Sequence, residues 1–262
     1  MDEALLERSL NKKLSIINAE IKSFIKKTGN QNITKHNIKL IEIDKNRENG
    51  NFSVSLGYYI EKLPEAGTRD LPENQMYDSK KANHTIFIRA LLEFAPNGNI
   101  NEMVAYNTDI RYCEINKEKG STQFDLDIIT GFHFDFDKEA STNHPIFHVQ
   151  QNDRCCKQLF VDKKFADLNN YKFLNEDKLN KHNKFIRIPT PQMDIFSAIL
   201  MIFADYIIHP KSNKHRDNFR NFIDKMEEQK ISFDYSNFEH ISPKFNKLLL
   251  HYWYPDYKKT VS

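Results

Sequence analysis

From Phe124 to Phe136 the chain reads FDLDIITGFHFDF, and every even position except Thr130 is apolar. Side chains along a strand alternate between its two faces, so this pattern specifies an extended ribbon with one apolar side rather than a helical stripe. The run is long for a strand, and Gly131 is the position where a bulge or bend would let it curl. One apolar side obliges the ribbon to pair with neighbours and to be covered, which fixes the class of fold before any motif is considered.

The neighbours are legible on either side. NIKLIEI and NFSVSLGYYI alternate around DKNRENGN, a turn rich in Asn and Gly; HTIFIRALLEF and EMVAYNTDIRYCEI flank APNGNIN in the same way. Ile86, Ile88, Ala90, Leu92 and Phe94 share one face, and Val104, Tyr106, Ile110 and Tyr112 answer them on the returning strand. Residues 62–83 hold two prolines among polar residues and read as a surface loop. Three sequential hairpins make an antiparallel meander of about six strands over residues 36–150.

Helices bracket the sheet. Over residues 3–27, Leu6, Leu10, Ile17, Ile21, Phe24 and Ile25 recur at three- and four-residue spacing, with Thr28, Gly29 and Asn30 as the stop. TPQMDIFSAILMIFADYIIHP predicts a deeply buried helix with Thr190 as N-cap and Pro191 at its first position. NKHRDNFRNFIDKMEEQK predicts a charged helix, and SPKFNKLLLHYWYP a last one carrying the only Trp. The expected architecture is a single α+β domain over 1–262: an N-terminal helix (1–30), the antiparallel sheet, and a mainly helical C-terminal part (155–262).

Composition narrows the function. With only 7 glycines the chain contains neither G-x-G-x-x-G nor G-x-x-x-x-G-K-[ST], which excludes the common glycine-rich phosphate loops. Three cysteines, Cys113, Cys155 and Cys156, form neither a disulfide framework nor a CxxC zinc knuckle. The apolar run IFSAILMIFADYII is broken by Asp205 and is too short to span a bilayer, and the acidic start does not read as a secretory signal. These features suit a cytoplasmic protein without membrane partners. Formal net charge is +2, unevenly placed: residues 1–150 hold 19 Lys and Arg against 22 Asp and Glu, while 151–262 hold 19 against 14.

The densest candidate for chemistry is FHFDFDKEASTNHPIFHVQ, residues 132–150. If KEASTN joins Asp137 to His144, then His133 faces His148, Asp135 faces Ile146 and Gly131 faces Gln150. Phe132, Phe134 and Phe136 then face Val149, Phe147 and Pro145 on the other side. In that register His133, Asp135 and His148 project away from the phenylalanine core, where they can act as acid and base or as three ligands to a divalent metal. Asp137 and His144 stand in support. The plainer reading is the polar face of a half-exposed hairpin, and no cofactor is required.

Other features carry less. Asp125 and Asp127 form a carboxylate pair on one strand; Arg154 and Lys157 flank the Cys155–Cys156 thiols. Lys214, Arg216 and Arg220, interleaved with Phe219 and Phe222, suit nucleic acid, although the same spacing docks a helix on a sheet. Tyr252, Trp253 and Tyr254 form an aromatic cluster suited to a protein partner. Three functional readings follow: a non-enzymatic interaction subunit of a cytoplasmic bacterial multi-protein system, nucleic-acid-associated or defence-related; a hydrolase or nuclease using His133, Asp135 and His148; and a nucleic-acid binder through the basic C-terminal part. Oligomeric state is left open.

Overall fold

The computed structural model describes residues 2–29, 37–63, 84–116, 124–136, 147–151, 171–174, 188–189, 194–208, 212–229 and 231–233. Helix α1 spans Glu3–Lys27. Asp2 caps it by accepting from the Ala4 N–H, and the Thr28 hydroxyl donates to the carbonyls of Phe24 and Ile25 at its end, each over 3.1 Å. Its buried stripe is Leu6, Leu10, Leu14, Ile17, Ile21, Phe24 and Ile25, the expected face with Leu14 added.

Six strands then run antiparallel in sequence: β1 (Lys39–Lys45), β2 (Phe52–Leu63), β3 (His84–Phe94), β5 (Ala105–Asn116), β6 (Phe124–Phe136) and β7 (Phe147–Gln151). The two-residue β4 (Glu102–Met103) lies between β3 and β5. In the first hairpin, Asn46 and Asn49 accept from the amides of Glu48 and Asn51, and Gly50 takes a φ of 72° that disfavours a side chain. In the second, Asn99 accepts from Asn101 and closes on Glu102. The meander is wider than expected at its far edge, where β9 (Ile188–Pro189) pairs antiparallel with β7 and β8 (Tyr171–Leu174) pairs parallel with β6.

Helix α2 covers Ile195–Tyr206 and helix α3 covers Asn213–Gln229; β10 (Ser232–Phe233) pairs parallel with β4. The cap of α2 differs from expectation. Asp194, not Thr190, is the N-cap, because its carboxylate accepts from the Ser197 N–H at 2.8 Å and so satisfies an orphan donor of the first turn. Of the loop expected over 62–83, Lys62 and Leu63 instead end β2; the remainder, 64–83, Thr190 and the helix predicted in SPKFNKLLLHYWYP lie outside the described residues.

The core sits between the helices and one face of the sheet. Even-numbered side chains of β2 and β3 join Tyr106, Ile110 and Phe134 there, against the α1 stripe, α2, and Phe219, Phe222, Ile223 and Met226 of α3. Phe24 stacks on Phe222 at 4.6 Å and on Phe203 at 5.4 Å, tying the three helices together. Asn18 adds a polar tie, accepting from the Ile38 N–H at 2.7 Å and donating to its carbonyl at 3.0 Å. No described helix is long and apolar enough to cross a membrane.

Candidate functional site

Three findings correct what was expected of the His/Asp hairpin. The first is register. β6 pairs with β7 two residues away from the expected alignment, so Asp135 stands opposite His148, His133 opposite Gln150, and Phe134 opposite Val149. A shift by two keeps every residue on its expected face while changing every partner. His133 and His148 are therefore not cross-strand partners. The second concerns β5 and β6, where register shifts between Tyr112 and Cys113, facing Thr130 and Ile128. The extra residue is Ile129, not Gly131, and from there Ile128 comes into register with Cys113 rather than with a residue of the helix-covered face.

The third correction is burial. The face holding His133 was expected to be wet, yet His133 is only 5% exposed, and Arg89, Asp109 and Arg111 beside it are 7%, 2% and 1% exposed. The sheet is buried on both sides through its middle. Charged groups in such a place are rare unless held by partners, and here the partners are visible.

His133 is flanked by two side chains of β5. Its Nδ1 lies 2.7 Å from Asp109 Oδ1, and its Nε2 lies 3.2 Å from Asn107 Nδ2. An amide nitrogen only donates, so Nε2 is the accepting nitrogen and the ring proton resides on Nδ1, given to Asp109. Arg89 of β3 approaches the other carboxylate oxygen, with Nη1 3.5 Å from Oδ2. The result is a continuous chain, Asn107–His133–Asp109–Arg89, across three adjacent strands.

Register explains the assembly. One row of cross-strand partners runs Gly57, Arg89, Asp109, His133; the next runs Tyr59, Phe87, Arg111, Gly131. Opposed side chains in such rows have Cβ atoms about 4.5–5.5 Å apart, so neighbouring charges meet without distortion. Tyr59 and Phe87 stack with ring centroids 5.8 Å apart. Burial, with the nearby Glu61 carboxylate adding to it, pushes the Tyr59 phenol well above its ordinary range and keeps it protonated.

The other sequence candidates fall elsewhere. Asp135 occupies the row of Asn107 and His148; the side chains of Asp135 and His148 lie outside the described residues, as do Asp137, His144, Cys155, Cys156, Tyr252, Trp253 and Tyr254. Asp125 and Asp127 come into register with Asn116 and Glu114. On α3, Lys214 and Arg216 are exposed, Arg216 bonds Asn213, and Arg220 is half-buried 3.8 Å from Asp217, while Phe219 and Phe222 dock into the core. Among the described residues no three His, Cys, Asp or Glu side chains are grouped to hold a metal ion.

Arg89, Asp109, Arg111 and Asn107 were not singled out by sequence reasoning. A signal was present: Tyr59, Phe87 and Leu91 are apolar at odd positions of strands whose even positions are also apolar, the mark of a sheet covered on both faces. A charge within such a strand is a buried charge. The chain matches no protein-family model, no curated protein and no solved structure, so the site is read from its own geometry.

Proposed function

We propose that the chain is a hydrolase in which His133 serves as general acid and base and Asp109 positions it. The observation that carries this reading is the 2.7 Å contact between Asp109 Oδ1 and His133 Nδ1 inside the protein. A buried carboxylate on Nδ1 holds the imidazole in one tautomer and stabilises the imidazolium that forms when Nε2 takes a proton. In the proposed reaction, Nε2 removes a proton from water as the water oxygen bonds to the ester centre. The ester bond then breaks and the same proton passes to the departing alcohol, giving an acid and an alcohol for one water consumed. Asn107 holds Nε2 in this structure and must yield it to the incoming water.

Phosphodiester, phosphomonoester and carboxylic ester substrates, screened with wild type, His133→Asn and Asp109→Asn, test the proposal. Turnover in wild type should fall at least about a hundredfold in His133→Asn, and Asp109→Asn should displace the acidic limb of the pH–rate profile. Turnover by wild type that both variants retain overturns the reading.

One observation favours a second reading, the partner-binding subunit of a cytoplasmic bacterial assembly: both ring nitrogens of His133 are already engaged. The Asn107–Arg89 chain then serves to hold the sheet in register. In that case the aromatic segment Tyr252–Tyr254 or the basic face of Lys214, Arg216 and Arg220 is the contact. Steep salt dependence of oligonucleotide affinity supports the basic face; a purified protein that stays monomeric and lacks an apolar patch beyond a few hundred Å² counts against the aromatic one.

A further inference from the structure

The sheet ends on one side at β1, which pairs with β2 and with no other described strand. β2 is buried from Val54 to Glu61, whereas β1 is half-buried from Leu40 to Ile43 and exposed at Lys39, Asp44 and Lys45. An edge of this kind presents backbone donors and acceptors to another strand. It is also held ready. Asn18 fixes Ile38 just before it, and behind it the turn closes where the Asn46 N–H donates to the Asn51 carbonyl at 2.8 Å. A strand already ordered in this way loses little further freedom on pairing.

The bulge in β1 selects what can pair with it. Register with β2 passes from Leu40–Leu56 to Glu42–Ser55, leaving Ile41 as the extra residue. Leu40 and Ile43 therefore share the helix-covered face, packed against the core, while Lys39, Glu42 and Asp44 align with Gly57, Ser55 and Ser53 on the other. A strand of unbroken alternation does not reproduce that order. A second β1 does. Run antiparallel with Lys39 opposite Asp44, it sets Leu40 opposite Ile43 and Ile41 opposite Glu42, and each pair recurs by twofold symmetry. A slip by one residue sets Lys39 opposite Ile43 or Leu40 opposite Asp44, and so crosses the faces. A slip of two toward the turn sets Glu42 opposite Ile43, with the same fault. A slip of three sets Glu42 opposite Asp44, like charge against like charge.

We infer that β1 is a homodimer interface, in which two copies of the chain join edge to edge over Lys39–Asp44. Each Lys39 ammonium then meets the Asp44 carboxylate of the other copy. The symmetry is closed, so pairing stops at two copies and covers this edge; a head-to-tail contact would leave it open to further growth. Lys45 stands outside the paired segment, with its ammonium 5.6 Å from the centre of the Phe52 ring. A contact this short buries less than about 1,200 Å² and belongs with weak, reversible interfaces. Its dissociation constant is accordingly micromolar, roughly 1–100 μM. The pairing is independent of the chemistry proposed at His133.

The test is sedimentation velocity of the full chain from about 1 to 200 μM. Wild type should pass from monomer to dimer as concentration rises, with nothing larger than a dimer. Asp44→Lys sets lysine opposite lysine at both ends of the pairing and should raise the dissociation constant at least about tenfold. Lys39→Asp, which sets aspartate opposite aspartate, should do the same. The double variant Lys39→Asp/Asp44→Lys restores both pairs with their charges exchanged, and its dissociation constant should return to within about threefold of wild type. Both positions are exposed, so the variants should fold, as far-ultraviolet circular dichroism will report. A monomer at every concentration overturns the inference, as do species larger than a dimer. So does a dimer indifferent to the single variants, or one that the double variant fails to restore.

Discussion

The imidazole of His133 on β6 and the carboxylate of Asp109 on β5 are joined at 2.7 Å where neither residue is more than 5% exposed. The two are 24 positions apart in sequence, and they meet because antiparallel pairing of β5 with β6 puts them directly opposite each other. Asp109 also lies 3.5 Å from Arg89, so one carboxylate serves both an imidazole N–H and a guanidinium.

Removing that carboxylate should be costly. Asp109→Ala leaves Arg89 and the His133 Nδ1–H without their shared acceptor in a buried place, and loss of about 3–5 kcal/mol is expected. Urea unfolding monitored by circular dichroism measures it. A loss below about 1 kcal/mol would mean that the network contributes little to the fold.

Phe24 should be the most sensitive position of the helical layer. It stacks on Phe203 and Phe222 and lies 5.8 Å from Phe219, so a single ring joins α1, α2 and α3. Phe24→Ala should destabilise by about 3–5 kcal/mol, whereas Phe24→Leu, which fills more of the space, should cost distinctly less. Chemical denaturation of the two variants side by side checks the ordering.

Asn18 makes two hydrogen bonds to the backbone of Ile38, a buried residue just before β1. Asn18→Ala strands both backbone groups and should cost about 1–3 kcal/mol. Native-state hydrogen exchange should show the Ile38 amide losing protection more than amides in the centre of β3. Equal loss at both places would mean that Asn18 acts globally rather than by fixing this junction.

Stability should fall on the alkaline side. Burial raises the phenol pKa values of Tyr58, Tyr59 and Tyr112 in the folded chain, with Glu61 adding at Tyr59 and with Tyr206 and Asp205 adding at Tyr112. Above about pH 10, the ordinary tyrosine value, the unfolded chain releases these protons while the folded chain keeps them. The unfolded state then binds fewer protons, so unfolding free energy decreases as pH rises. Phenolate absorbance from these residues should appear together with loss of near-ultraviolet circular dichroism; ionisation well before unfolding would contradict their burial.

Much of this fold is written in local periodicity. Alternation over Phe124–Phe136 specified β6 to its ends, and the three- and four-residue spacing from Leu6 to Ile25 specified the buried stripe of α1. Asn- and Gly-rich segments specified the two hairpin turns. These features depend on which side of an element is apolar, and a residue's own type decides that.

The site was less legible. His133 was visible as a candidate, but its partners were not, because periodicity fixes faces and leaves the sliding of one strand along another free by any even number of residues. That freedom is why His148 proved to stand opposite Asp135 and not His133. The bulge at Ile129 and the burial of the second face were decided the same way, by what packs in three dimensions. Sequence by itself determined that His133 turns away from the phenylalanine core; only the tertiary structure decided that this direction leads to Asp109, Asn107 and Arg89 instead of to water, because contacts across a sheet join residues whose distance along the chain carries no signal.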